Sequence, residues 1–595
     1  MSAFREYVKR DPGAWCLALA VVAVVVLYGA TLGRGIVSYD DPWLIRDNWV
    51  VHEASASSVR TILFDLHSNA RLTLSPEYLP VRDLSVLLDF AIWGDWYGGF
   101  HLTNLVVYVG AMCAWFGVLV GFGVDRRVAG LAILIWALHP AHAESVAWLS
   151  ERKGLLAALF TALCGLGYTR FRAGRSAGWL AFAALVGVMA VWSKATAAFG
   201  LAGLAGLDLV LPAGDRSRRL VGLGVIGAFA VAAFVPVLML ATSANVVGTE
   251  MAAPAGRLEM VVGVLGFYVR LGLMTQHNSV SYPISDLGPS AIDVAVGIVA
   301  LVALAWVLCA PRRMRLAPSP TLRAAGVLFV AGWLPVSHLI LPLQMVFVAD
   351  RYLLFPTLGL ALAIAYGVLR ISSARARIAL VAVLVFATAL RTLDAQSTWR
   401  DDSTLWQRAV ETNPSDGNAW SMYADAVMDD GRTDLAFDVI HQGLRHTRAP
   451  RLLLRKALLV QRMSTPEHAI VAMREAALAG EPRAMMNVGL LLLDVGHVDE
   501  ALVWGMLAAQ LLPHHAPARR AFGKIALAAH HDELAYTEFT AAYRLEPKNR
   551  ANRFNLALSL IALGRGAEAR PHLEVCLGDP ELASRARGLL QQLAP

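Results

Sequence analysis

Long uncharged apolar runs, separated by short loops rich in arginine, constrain this chain more than any other feature. The first run, residues 15–32, has 18 residues without a charge, long enough to cross a bilayer. Hydrophobic residues make up 57% of the 595 and charged ones only 16%, against roughly 25% in soluble domains. With a mean hydropathy of +0.52, this is the composition of a polytopic membrane protein. Lys and Arg number 52 against 45 Asp and Glu. The excess lies between apolar runs, where it encodes orientation rather than nucleic-acid binding. Cys16, Cys113, Cys164 and Cys309 fall within apolar runs and Cys576 stands alone, so neither a disulfide framework nor a zinc site is implied. Residues 1–9 resemble a signal n-region, but Tyr28-Gly29-Ala30 offers no small residue at −3. An uncleaved signal anchor is expected.

Basic clusters recur at Arg126-Arg127, at Arg170, Arg172 and Arg175, and at Arg216, Arg218 and Arg219. Two more follow, at Arg312, Arg313 and Arg315, then at Arg370, Arg375 and Arg377. Placing all of them inside the cell with Arg5, Lys9 and Arg10 requires an odd number of spans, about eleven between residues 15 and 393. Residues 257–275 are apolar but interrupted and flanked by Arg257, Arg270 and His277. A deeply buried Arg270 would cost at least ~2.5–3.5 kcal/mol, so an interfacial or re-entrant helix on the external face is expected. This topology sorts Asp40, Asp41, Arg82, His139, His142, Glu144, Glu151, Arg152, Lys153, Lys194, Arg270, His277, Asp350 and Arg351 to or near the external face. Acids, bases and histidines converging on one face argue for a site there.

After Arg391 the composition turns soluble and helical, and a period of 34 residues appears. Gly489, Gly523 and Ala557 share that spacing, as do Ala501, Ala535 and Ala569, and Pro513 and Pro547. Small residues stand where the two helices of a hairpin approach closely, and the prolines end the second helix. Trp420, Tyr423, Gly431 and Ala436 mark an earlier copy, and a degenerate one covers roughly 450–481. About five tetratricopeptide repeats forming a solenoid with a concave groove are expected. The expected organisation is therefore all-α: a membrane bundle over 1–394 with an external loop at 34–100, a linker at 395–416, and a repeat domain at 417–595, on the same side as the carboxylates.

Asp40-Asp41-Pro42 reads in part as a helix start, with Asp at the N-cap and Pro at N1. That accounts for Asp41 and leaves Asp40 free to act as general base on an acceptor hydroxyl. Asp41 then orients it, or holds an acceptor or a metal. The segment from His139 through His142, Glu144, Trp148 and Glu151 to Arg152 and Lys153 is the most polar stretch between two spans. It reads either as a solvated interface loop or as a substrate-handling segment in which Arg and Lys meet a pyrophosphate or lipid phosphate. Its histidine spacing fits no standard metal set, so no cofactor is certain and a divalent cation stays open. Lys194 either snorkels at a helix end or binds phosphate. Asp350-Arg351-Tyr352 is either a local ion pair with an interfacial aromatic or places Arg351 on a leaving phosphate. Arg82 either pairs with Asp83 or serves a substrate. His101 and Asn104 suit caps and packing better than catalysis. No P-loop occurs, which argues against an ATP-driven pump.

Asp40-Asp41 after the first span, Phe100-His101-Leu-Thr-Asn104, His139-Pro-Ala-His142-Ala-Glu144-Ser-Val-Ala, Ser193-Lys194, Tyr282-Pro283, and Asp350-Arg351-Tyr352 with Pro356 follow in that order. With the terminal repeats, the chain resembles the transmembrane and tetratricopeptide repeat-containing O-mannosyltransferases and their bacterial relatives, within the GT-C glycosyltransferase superfamily. The resemblance implies a GT-C-type bundle, a polyprenyl-phosphate-linked sugar donor, an external active site, and inverting transfer to a protein hydroxyl. It carries the catalytic assignment to Asp40 and Asp41. Cations to stabilise the departing phosphate would come from Arg82, Arg152, Lys153, Lys194, Arg270 and Arg351, with His139, His142, Glu144, Glu151, Asp350 and Tyr352 also lining the substrate. Ala-, Arg- and Val-rich composition suggests a bacterial inner-membrane protein with its repeats in the periplasm, where the groove meets a polypeptide acceptor or protein partner. Two other classes stay in view. A non-catalytic scaffold would make Asp40 silent, and a lipid or solute transporter would place its polar site near mid-membrane.

Overall fold

A computed structural model describes residues 11–593 apart from 68–70, 72, 244–253, 275, 312 and 341–345. Arg5, Lys9, Arg10 and Arg312 of the expected basic clusters lie outside the described residues. Among those residues there are helices and turns but no strand. They form two compact units, 1–413 and 414–595.

The first unit is a multi-pass membrane bundle. Six helices are long and apolar enough to span by length and composition: the runs beginning α1 (Pro12–Tyr28), then α2 (Tyr97–Gly121), α3 (Arg152–Arg172), α4 (Arg216–Ser243), α5 (Ala291–Cys309) and α6 (Ala374–Thr398). Five others are shorter: Arg126–Ala137, Gly178–Ser193, Ala197–Val210, Pro320–Trp333 and Pro356–Leu369. All five stop short at the same end of the bundle. There the chain breaks at His139, at Lys194 to Thr196, at Leu334 and at Asp350, and polar loops fold into the space that full-length helices would occupy. Irregular backbone among apolar helices is tolerated where it lines a cavity or is buried in protein. The opposite end carries the basic clusters, tied down by Arg126 to Asp11 and by Arg172 and Arg219 to the buried Asp208, at 2.8 and 2.7 Å.

Of residues 257–275, those up to Gly272 fall on a helix, Pro254–Gly272, packed antiparallel against α5, and residue 275 lies outside the described residues. Contact is so close that a Cβ at Gly266 would meet the Asp293 carbonyl and one at Gly297 would meet that of Val262. Arg270 bonds Asp293 at 2.7 Å, so its charge is compensated within protein. Residues 395–416, expected as a linker, are instead mostly helical. α6 runs to Thr398, and α7 (Asp402–Thr412) follows, capped by Asp401 with Thr404 and burying Leu405, Trp406, Ala409 and Val410 against the first unit. Its apolar stripe, Leu405 and Trp406 followed four residues later by Ala409 and Val410, lies on one face of a helix and explains why this stretch folds.

The second unit stacks helical hairpins beginning at Gly417, Pro450, Pro482, Ala516 and Arg550, with a final helix Ala583–Gln592. The 34-residue small positions close the hairpins: Ala501, Ala535, Ala557 and Ala569 are fully buried, and a Cβ at Gly523 would strike the Phe539 ring. Most hairpin turns use a left-handed residue, supplied by Gly431, Gly496 and Gly564 at φ of 75°, 85° and 75°, while the turn at Ser464-Thr465 is extended. His530 occupies the equivalent turn at φ 58°. A side chain there costs about 1 kcal/mol, so His530→Gly is expected to raise the melting midpoint of the repeat unit by a comparable free energy, measured by thermal unfolding of the purified protein.

Candidate active site

The shortened helix ends bring acids and cations together from five parts of the chain. Glu151 stands at the N-terminus of α3, and Lys194 at the C-terminus of Gly178–Ser193, each where the helix dipole favours its charge. These helices run antiparallel, so the two ends meet and Lys194 Nζ bonds Glu151 Oε1. Lys153, two residues into the same span, pairs with Glu77 at 2.7 Å. Glu144 lies in the first turn of the short helix His142–Ala147. Its carboxylate accepts the backbone N–H of Arg351 at 2.7 Å and pairs with the Arg351 guanidinium. Arg351 Nε lies 3.8 Å from Glu151, and its guanidinium stacks over Trp148 and Tyr352 at 5.3 and 5.2 Å. Lys194 sits over the other side of this group, 5.7 Å from the Tyr352 ring.

Asp40 and Asp41 adjoin this cluster through Tyr39, whose ring packs on Trp148 at 4.9 Å and which feels the charges of Arg351, Asp40 and Glu144. Asp41 is the N-cap residue of the π-helix Pro42–Arg46, but its side chain does not cap. It turns inward to accept from Ser150 N at 2.9 Å, Ser150 Oγ at 2.5 Å and Val37 N at 3.2 Å. Asp40 is half-buried. Its carboxylate accepts a long bond from Trp43 Nε1 at 3.4 Å and, among the described residues, forms no ion pair. The two neighbouring acids thus differ: one is consumed by structure and the other presents a carboxylate.

Burial pushes the Asp41 carboxyl up to about 6, against the lowering effect of the Ser150 and Val37 bonds. A carboxyl raised on folding favours the native state most when protonated, below about pH 4, and that advantage is lost as pH rises through about 6. The stability of the wild type minus that of Asp41→Asn, which cannot titrate, is therefore expected to fall by about 2 kcal/mol between pH 4 and pH 7. Melting curves at pH 4 and pH 7 measure it.

Asp350 is buried nearby and accepts from the Tyr282 hydroxyl. Burial, with Glu144 adding, holds its carboxyl well above the usual carboxylate range. Several residues expected at the site are placed elsewhere. Arg82 is buried against Asp83 at 2.6 Å, and Arg152 bonds Asp89 at 2.5 Å and Asn104 at 2.7 Å. His139 bonds the Gly272 carbonyl at 2.9 Å, while His142 lies between Tyr108 and Thr357 at 2.7 and 2.8 Å. Arg270 faces Asp293. Glu77 and Tyr39 were not singled out from sequence; Tyr39 directly precedes the acid pair, and Glu77 lies in an aperiodic loop. Beside Lys194 and Arg351 lies a narrow cleft walled by Gly154, Gly200, Gly332 and Phe355. Among the described residues no group of His, Cys, Asp and Glu is arranged to hold a metal ion.

Stretches of the chain are similar to protein O-mannosyl-transferase TMTC4 of Homo sapiens, 29% identical over 185 residues, which are 26% of this chain and 25% of that protein. Protein O-mannosyl-transferase Tmtc1 of Drosophila melanogaster is 32% identical over 214 residues, 34% of this chain and 23% of the relative. Tmtc2 of the same organism is 31% identical over 138 residues, 21% and 14% of the two chains. These stretches are what the chain has in common with protein O-mannosyl-transferases. The chain spans no more than about a quarter of the length of these curated relatives. No family model matches the chain. Among solved structures, an oligosaccharyltransferase of Archaeoglobus fulgidus covers 70% of it and 59% of that chain, at 14% identity and a TM-score of 0.42. The TPR protein YrrB covers 31% of it and 99% of that chain, at 17% identity and a TM-score of 0.27.

Proposed function

We propose that this chain is a membrane glycosyltransferase that moves a sugar from a polyprenyl-phosphate-linked donor to a Ser or Thr hydroxyl of a protein, with inversion, on the external face of a bacterial inner membrane. The observation that carries this reading is a half-buried carboxylate with no ion pair among the described residues, Asp40, joined through Tyr39 and Trp148 to Arg351, which with the half-buried Lys194 borders a partly apolar cleft.

Asp40 takes the proton of the acceptor hydroxyl as its oxygen attacks the anomeric carbon, and the bond to the lipid phosphate breaks. Negative charge then grows on the departing phosphate. Lys194 spends one bond on Glu151, and Arg351 spends part of its five-donor fork on Glu144, which leaves N–H donors on both for that phosphate. Burial lowers the Lys194 ammonium below its ordinary value even with Glu151 beside it, so an arriving phosphate meets a cation that gains from a second partner. The repeat domain presents an extended polypeptide in its groove, on the same side of the membrane.

Purified protein, incubated with a panel of labelled polyprenyl-phosphate sugars and a polypeptide acceptor, tests this directly. Label should pass to the acceptor, with the anomeric configuration opposite to that of the donor. No transfer from any donor would reject it in favour of the scaffold. Lys194→Ala is expected to raise the donor KM about tenfold or more, the loss of one charge-assisted bond, while Lys194→Arg keeps most of the affinity. Initial rates against donor concentration measure both.

A further inference from the structure

The helical elbow α6–α7 holds the loop that carries Asp40. Asp401 already caps α7 through Thr404 N at 2.8 Å, so the next residue is not needed for that task. Asp402 turns instead to the loop and accepts the backbone N–H of Ser38 at 2.5 Å. One turn later Trp406, buried, sets its ring edge-on to Tyr39 at 5.6 Å. Below them Gln396 receives both arms of Arg34, through its backbone oxygen at 2.7 Å and its side-chain oxygen at 2.5 Å. Trp399 stacks on Trp148 at 5.5 Å and 17°, the same indole that carries Arg351.

The contacts of Gln396 and Asp402 with residues 34 and 38 span more than 360 residues in sequence, and every contact of the elbow lands on residues 34–39 or on Trp148. Asp40 itself has no strong bond to hold its carboxylate, so its position follows its backbone, held on one side by the Leu44 N–H on the Asp40 carbonyl at 3.0 Å and by Asp41, and on the other by Ser38 and Tyr39. Held between Asp402 below one peptide and Trp406 against the adjoining ring, that backbone has little freedom to rotate. Resting on the transferase reading above, we propose that Asp402 and Trp406 are positioning residues for Asp40, acting through Ser38 and Tyr39.

The full chain tests this with two readouts. Misplacing a reacting group by about 1 Å costs about 100-fold in rate. Asp402→Ala is therefore expected to lower kcat by about that factor while leaving the donor KM within about twofold, because the phosphate-facing cations are untouched. In the same variant, backbone hydrogen exchange over residues 37–40 should accelerate. Asp402→Asn keeps an oxygen that accepts the Ser38 N–H, and it should restore both rate and protection. Trp406→Phe keeps a ring against Tyr39 and should stay near wild type, whereas Trp406→Ala should follow Asp402→Ala. Unchanged exchange in Asp402→Ala would overturn the proposal, as would faster exchange with kcat unaltered. Should the wild type transfer no sugar while exchange responds as expected, the transferase reading fails and the hold of Asp402 on the loop stands.

Discussion

Replacing Asp40 with Asn is expected to abolish transfer, with kcat falling by about 100- to 10,000-fold, the range general-base catalysis supplies. The variant keeps its size and its contact with Trp43, and no ion pair is broken, so insertion and the melting midpoint should stay at wild-type values. Transfer of labelled sugar, measured beside a melting curve, separates the two effects. Full activity in Asp40→Asn would remove this residue as the base. Asp41→Asn should behave differently, because Asp41 is bonded to Ser150 and Val37 and works through the fold.

The second large effect concerns Glu144 and Arg351. Both are buried, and each holds the other. Removing one partner leaves an uncompensated charge, which costs about 3–5 kcal/mol in buried pairs, whereas replacing both with apolar residues is often neutral. Glu144→Ala is expected to destabilise by the lower part of that range, because Glu151 lies 3.8 Å from Arg351 and shares its charge. The double variant Glu144→Leu with Arg351→Met should recover most of the stability yet show no transfer, since a phosphate-facing cation is gone. Thermal unfolding of the three proteins checks the first statement, and the labelled-donor assay checks the second. Recovery of activity in the double variant would show that Arg351 is structural only.

Both expectations depend on which polar residues meet, and sequence was uneven in showing this. Hydropathy is a local property, so the apolar runs and the arginine clusters between them were readable one segment at a time. Where a run stopped short was less so. Helix Arg126–Ala137 ends before His139 because the following residues turn inward to Gly272, Tyr108 and Thr357, partners that lie on other elements. The stretch 395–416, expected as a linker, is mostly helical for a similar reason: its apolar stripe is short, and Trp406 packs against Tyr39, far away in sequence.

Sequence by itself determined the two architectures. A bilayer selects uncharged runs of a set length, and a solenoid repeats its small residues at 34, so both are written as periodic or continuous patterns along one segment. It also determined that acids and cations gather toward one face. The tertiary structure decided which of them form a site. Arg351 reaches Glu144 across 207 residues and Lys194 reaches Glu151 across 43, while Arg82, Arg152 and Arg270 are matched to Asp83, Asp89 and Asp293. Such pairings are chosen by the cost of burying an unmatched charge. That cost depends on what the fold places opposite each residue, which no local pattern encodes.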